Sequence, residues 1–178
     1  RRSPMLAGTH HWTAQERVIY GKPAVDALAE EIGRAGARKV FVTTTRSISN
    51  GPLVARIVRS LGAKFAGKFD AVSAHSPREG VIAGAEALRA CAADLVVAVG
   101  GGSVIDATKV MLLALWRGVR DVDGLSGLSG ARGQGAEPSA WSADPQGLRM
   151  VAVPTTLSAA EFFPSAGVTD VQRRVKQS

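Results

Sequence analysis

Apolar residues fall along this chain in blocks of two kinds. Lys39-Val40-Phe41-Val42-Thr43-Thr44 and Asp94-Leu95-Val96-Val97-Ala98-Val99 are nearly unbroken apolar runs. That pattern marks strands buried on both faces of a parallel sheet. Met150-Val151-Ala152-Val153 is a third run, and Lys64 to Phe69 reads as a further strand. Between them apolar positions recur at helical spacing: Val25, Leu28, Ala29 and Ile32, then Leu53, Ile57 and Val58. Arg78 to Ala92 and Ser103 to Trp116 continue the series. Pro23 suits the first turn of the opening helix, which Gly36 caps after about Ala35. Arg17-Val18-Ile19-Tyr20 reads as a short leading strand, closed by Gly21-Lys22-Pro23.

The alternation predicts an α/β fold: a doubly wound, mostly parallel, Rossmann-like sheet with helices on both faces. Residues 1–16 read as an N-terminal extension and 17–178 as one domain. Within it, 118–148 loses the pattern to Gly, Ser, Ala and Pro, and a mobile loop is expected there. No internal repeat is evident.

Composition narrows the function classes. The net charge is +7, but Lys and Arg are spread along the chain, densest at its ends. Scattered basic residues describe solvated helix faces, and aromatics are only 5% of the chain, so a nucleic-acid partner is not expected. The single cysteine, Cys91, cannot form an internal disulfide, and no apolar run would span a bilayer. A cytoplasmic protein with no membrane partner is expected.

The chemistry concentrates where strands end. Val99 runs into Gly100-Gly101-Gly102, and Ser103 opens a helix. Glycines permit a sharp turn and the close approach of a ligand. The first amides of the helix lack intrahelical partners, and the helix dipole adds positive potential, so the place suits a phosphate. Ser103 adds a hydroxyl, and Asp106, one turn on, either fixes the loop or caps its amides. A tight turn without ligand is the plainer reading, but three glycines exceed what a turn needs. The segment is neither a G-x-G-x-x-G fingerprint nor a P-loop. A second stretch, Val153-Pro154-Thr155-Thr156-Leu157-Ser158-Ala159-Ala160-Glu161, leaves the last buried strand at the edge where open α/β sheets bind ligands. Thr155, Thr156 and Ser158 offer hydroxyls there; an ordinary Ser/Thr turn would look the same.

Together, Gly-Gly-Gly-Ser-x-x-Asp-Ala-x-Lys, a following strand and Pro-Thr-Thr resemble the signature order of the iron-containing (group III) alcohol dehydrogenase superfamily. Tyr20-Gly21-Lys22-Pro23 is similar to its opening, and the likeness runs from about Arg17 to Lys176. The short spacing from Thr156 to Glu161 resembles the maleylacetate reductase-like branch. This resemblance implies an NAD(P)-dependent oxidoreductase that moves hydride between a nicotinamide and a carbonyl or alcohol. It implies that Gly101, Gly102 and Ser103 hold the pyrophosphate and that Thr155 and Thr156 lie near the nicotinamide. It further implies adenosine contact at His75, itself also readable as a surface-loop histidine, and cofactor contact at Gly167 and Lys176. A small-molecule substrate and a homo-oligomer, a dimer, are expected.

Two departures from the family pattern matter. Where many NAD-using relatives carry an Asp that accepts both ribose hydroxyls, this chain has Thr45, followed by Arg46. Loss of the carboxylate and gain of a guanidinium make NADP as plausible as NAD. The family's metal ligands, an Asp and usually three His, would lie beyond Ser178, and His10, His11 and His75 lack metal-ligand spacing. No metal site is expected within 1–178; iron or zinc belongs to the two-domain enzyme, and catalytic residues are not assigned. Two alternatives stay open: a dehydroquinate synthase-like lyase, and a non-catalytic nucleotide-binding module.

Overall fold

A computed structural model describes residues 15–74, 76–128, 147–163, 166–170 and 175–177, the last three by backbone only. The described elements are α1 (Ala24–Arg34), β1 (Val40–Thr43), α2 (Arg46–Ser49), α3 (Pro52–Leu61), β2 (Phe65–Phe69), α4 (Arg78–Cys91), β3 (Leu95–Gly100), α5 (Gly102–Trp116), α6 (Val122–Leu128), β4 (Arg149–Pro154), β5 (Val168–Asp170) and β6 (Val175–Gln177).

β1 to β4 form one parallel sheet in the order β2-β1-β3-β4, and β5 and β6 pair antiparallel. Because successive residues of a strand face opposite ways, each apolar run feeds two cores. Val40 and Val42 of β1 and Leu95, Val97 and Val99 of β3 pack with Leu28, Ile32, Val54 and Ile57 of α1 and α3. Phe41, Val96 and Ala98 point the other way, into α4 and α5, against Val81, Ala85, Leu88, Ile105's neighbour Val104 and Met111. The doubly wound, mostly parallel sheet expected from the sequence is therefore present, with helices on both faces.

Asp94 fixes where β1 and β3 start relative to each other. Its carboxylate accepts the amides of Arg38 (2.9 Å) and Lys39 (2.9 Å), and its own amide donates to the Lys39 carbonyl at 2.9 Å. The register that follows brings the carboxyl end of β1 beside that of β3.

Two segments differ from expectation. Arg17 to Tyr20 forms no strand; Tyr20 is 88% exposed, and the segment is tethered by ion pairs of Glu16 with Arg34 and Arg149 (2.8 Å each) and Arg17 with Glu31 (3.2 Å). A tetrapeptide rich in β-formers is a strand only when a neighbour completes its ladder. Within the stretch read as loop, Val122–Leu128 is helical: Asp121 accepts the Gly124 amide at 2.7 Å, and Leu125 is buried in the core beside α4. Residues 129–146 lie outside the described part.

Candidate nucleotide-binding site

The strand order places a topological switch point between β1 and β3: the chain steps from β1 outward to β2, then returns to the other side of β1 to lay down β3. Open α/β sheets bind ligands in the crevice at the carboxyl ends of such strands. A cavity of about 730 Å³ lies there. Every segment that lines it leaves the carboxyl end of a strand: Thr45-Arg46-Ser47 after β1, Ala71 to Ala74 after β2, Gly101 to Val104 after β3, and Thr156 after β4.

The glycine turn is built for close approach, not for unusual dihedrals. None of Gly100, Gly101 and Gly102 has a positive φ. A Cβ at Gly101 would instead stand 2.9 Å from the Thr156 hydroxyl, and one at Gly102 would stand 3.0 Å from the Ser158 side chain. No side chain caps α5; the amides of Val104 and Ile105 bond to the Gly101 carbonyl, at 3.0 and 3.2 Å. That arrangement leaves the Gly102 and Ser103 amides as donors at the wall of the cavity, on the positive end of a helix of 15 residues.

Each surrounding loop is tied down. Ser76, buried at a positive φ of 49°, donates its hydroxyl to the Ser103 carbonyl at 2.9 Å and accepts the Thr169 amide at 3.1 Å. The Thr155 amide donates to the Gly100 carbonyl at 3.0 Å, continuing the β3–β4 ladder into the turn. Asp106 caps no helix end; its carboxylate accepts the Gly167 amide at 3.3 Å. On the flank beside β2, the Ser49 hydroxyl holds the Asp70 carboxyl below its ordinary range, assisted by Lys68 and Arg46. A second depression, about 430 Å³, adjoins across Thr156 and is lined by Pro154, Thr155, Leu157, Ala159, Glu161 and Phe162.

The residues singled out from sequence separate accordingly. Thr45, Gly101, Gly102, Ser103 and Thr156 line the main cavity and Thr155 the second. Ser158 packs on Gly102 without lining either, and Asp106 and Gly167 pair with each other behind the turn. Lys176 is described only as backbone paired with Thr169, and His75 lies outside the described residues. Ser47, Ser73 and Ser76 had no sequence signal, since only the fold brings three loops together. Among the described residues no three His, Cys, Asp or Glu side chains cluster to hold a metal.

A parallel sheet with an uncapped helix and a glycine turn at its switch point defines a doubly wound, Rossmann-like α/β domain. The family model for iron-containing alcohol dehydrogenases matches residues 15–178, and the chain belongs to that family. Maleylacetate reductase 2 of Cupriavidus pinatubonensis is 31% identical over 160 residues, covering 90% of this chain and 35% of that protein. A dehydrogenase of Gibberella moniliformis is 30% identical over 157 residues, 87% of this chain and 37% of its own length. The crystal structure of maleylacetate reductase from Agrobacterium tumefaciens superposes with a TM-score of 0.68 at 26% identity, over 97% of this chain and 39% of that one. The chain thus spans little more than a third of the length of these relatives.

Proposed function

We propose that this chain is the cofactor-binding part of an NAD(P)-dependent oxidoreductase acting on a CH–OH group or its carbonyl. The observation that carries the reading is the convergence of four strand ends on the uncapped amino end of α5. A pyrophosphate laid across Gly101, Gly102 and Ser103 meets two backbone donors, a hydroxyl and the helix dipole. The adenosine then lies toward Thr45 and the loop after β2, and the nicotinamide toward Thr155 and Thr156, where the second depression offers room for a small substrate. When bound, the cofactor supplies the hydride; these residues hold and orient it. Family membership favours this over the lyase, and the relatives' names favour maleylacetate as the first substrate to assay. The helical domain and metal of the family belong to the same proposal, as do a dimeric assembly and a cytoplasmic setting. Among the described residues no helix is long and apolar enough to cross a membrane.

The finer reading is a preference for NADPH. Among the described residues no carboxylate lines the main cavity and the one formal charge is Arg46, flanked by Thr45 and Ser47, whose hydroxyls are 2.8 Å apart. Asp70, the carboxylate after β2, is occupied by Ser49 at 2.6 Å and does not line the cavity. Nothing there repels a 2′-phosphate, and a guanidinium is present to pair with it. In the intact protein, Arg46→Ala should lower kcat/KM for NADPH about 10- to 100-fold, the value of a charge-assisted hydrogen bond, and leave NADH within a few-fold. Thr45→Asp should move the ratio the same way by repulsion. An NADPH/NADH ratio unchanged in both variants would remove this segment from the cofactor site.

A further inference from the structure

Lys109 closes the glycine motif, yet it lines neither cavity, and the function above gives it no task. It sits two turns into α5, half-buried, and donates to two backbone carbonyls, Ala160 and Phe163, at 2.6 Å each. Those carbonyls bracket the 3₁₀ turn Ala160–Phe162 that ends the loop after β4. Two carboxylates, Asp106 and Glu161, favour the charged ammonium, and one Glu161 oxygen is buried with no hydrogen-bond partner among the described residues. Burial nonetheless pulls the Lys109 ammonium below the ordinary lysine range, which means that this charge is held there at a cost.

A cation kept at a cost to grip backbone invites a reason, and the geometry of the loop provides one. The same loop carries Thr156 and Ser158, the two side chains that approach Gly101 and Gly102 most closely. Its start is fixed by the Thr155 amide on the Gly100 carbonyl. Between that bond and the Lys109 grip lie only residues 156–159, with Leu157 fully exposed and Ala159 at a positive φ of 56°. Released at the Lys109 end, the loop would keep the Thr155 anchor and the Gln15 bond to the Glu161 carbonyl at 3.3 Å but lose these hydrogen bonds to α5, and the position of Thr156 against the glycine turn would be less firmly set.

We propose that Lys109 is a positioning residue of the cofactor site: by clamping Ala160 and Phe163 to α5 it holds Thr156 against the glycine turn, at the boundary between the main cavity and the second depression. The proposal rests on the dinucleotide reading for its consequence but not for the clamp itself, and two measurements on the intact protein separate these. Hydrogen exchange without nucleotide reads the clamp. Lys109→Met keeps the apolar stem and removes the grip, so some stability is lost, but the amides of 156–163 should exchange at least about tenfold faster while those of β1 and β3 keep their protection. Lys109→Gln, which retains one neutral donor, should fall between. Calorimetry reads the consequence with two probes: NADPH, whose nicotinamide half would lie against Thr156, and adenosine 2′,5′-bisphosphate, which lacks that half. Lys109→Met should weaken NADPH about tenfold or more and leave the bisphosphate within twofold. Unchanged loop exchange in Lys109→Met, or equal weakening of both probes, overturns the proposal. A wild-type protein that binds neither probe would defeat the dinucleotide reading, with the exchange result still deciding the clamp.

Discussion

Thr108 shows how far a single residue's role depends on the fold around it. In the middle of a helix a β-branched hydroxyl residue is a mild liability. In the fold it is wholly buried, donates to the Val104 carbonyl at 2.7 Å, and stands 2.6 Å from the Thr43 hydroxyl in β1. Since its one proton goes to Val104, Thr43 must be the donor in the second bond. The pair joins the second turn of α5 to the carboxyl end of β1, beside the cavity. Thr108→Val should therefore destabilise by about 1–3 kcal/mol, because it strands the Thr43 hydroxyl without an acceptor. The double variant Thr43→Val/Thr108→Val should recover part of that loss in a denaturant titration. A neutral single variant would show that the contact carries no stability.

At the scale of elements, α5 organises the site. Along it, Gly102 and Ser103 offer amides, Ser103 takes the Ser76 hydroxyl on its carbonyl, Asp106 holds Gly167, Thr108 holds Thr43 and Lys109 holds the loop after β4. β3 and α5 were plain in the sequence because both are nearly continuous in apolar residues, and the three glycines between them mark a backbone exposed to close approach. The expectation missed which neighbour needs that closeness. Thr156 and Ser158 press on Gly101 and Gly102 from the protein side, so a side chain at either glycine disturbs the loop as well as the phosphate. Gly102→Val should lower NADPH affinity by an order of magnitude or more in a protein whose melting temperature stays near wild type. Unchanged affinity in such a folded variant would contradict the phosphate assignment.

The elements that resisted sequence reading share a cause: each depends on partners distant in the chain. Arg17 to Tyr20 has strand composition but no ladder neighbour among the described residues, and α6 hides in a Gly/Ser-rich stretch until Leu125 finds the core. Ser76 sits before a proline in a conformation that few residues adopt, and its role appears only when the loop after β2 meets α5. The parts of the candidate site on the glycine turn, at Thr45 and Arg46 and at Thr155 and Thr156 were thus legible, and the part that comes from the loop after β2 was not.

For the molecule as a whole, the strand order β2-β1-β3-β4 is what turns separate loops into one crevice. The net charge of +7 would add a general attraction for a polyanionic cofactor, while the proposed selection between NADPH and NADH is local to Thr45, Arg46 and Ser47. The central claim is that a dinucleotide lies across the switch point, with its pyrophosphate on the first turn of α5. Titrating the intact, nitrogen-15-labelled protein with NADPH and following backbone amide signals tests this most directly. The account predicts saturable shifts, largest at Gly101, Gly102 and Ser103, with accompanying shifts at Thr45 to Ser47 and at Thr155 and Thr156. Saturable binding that leaves the glycine-turn amides unmoved would contradict it.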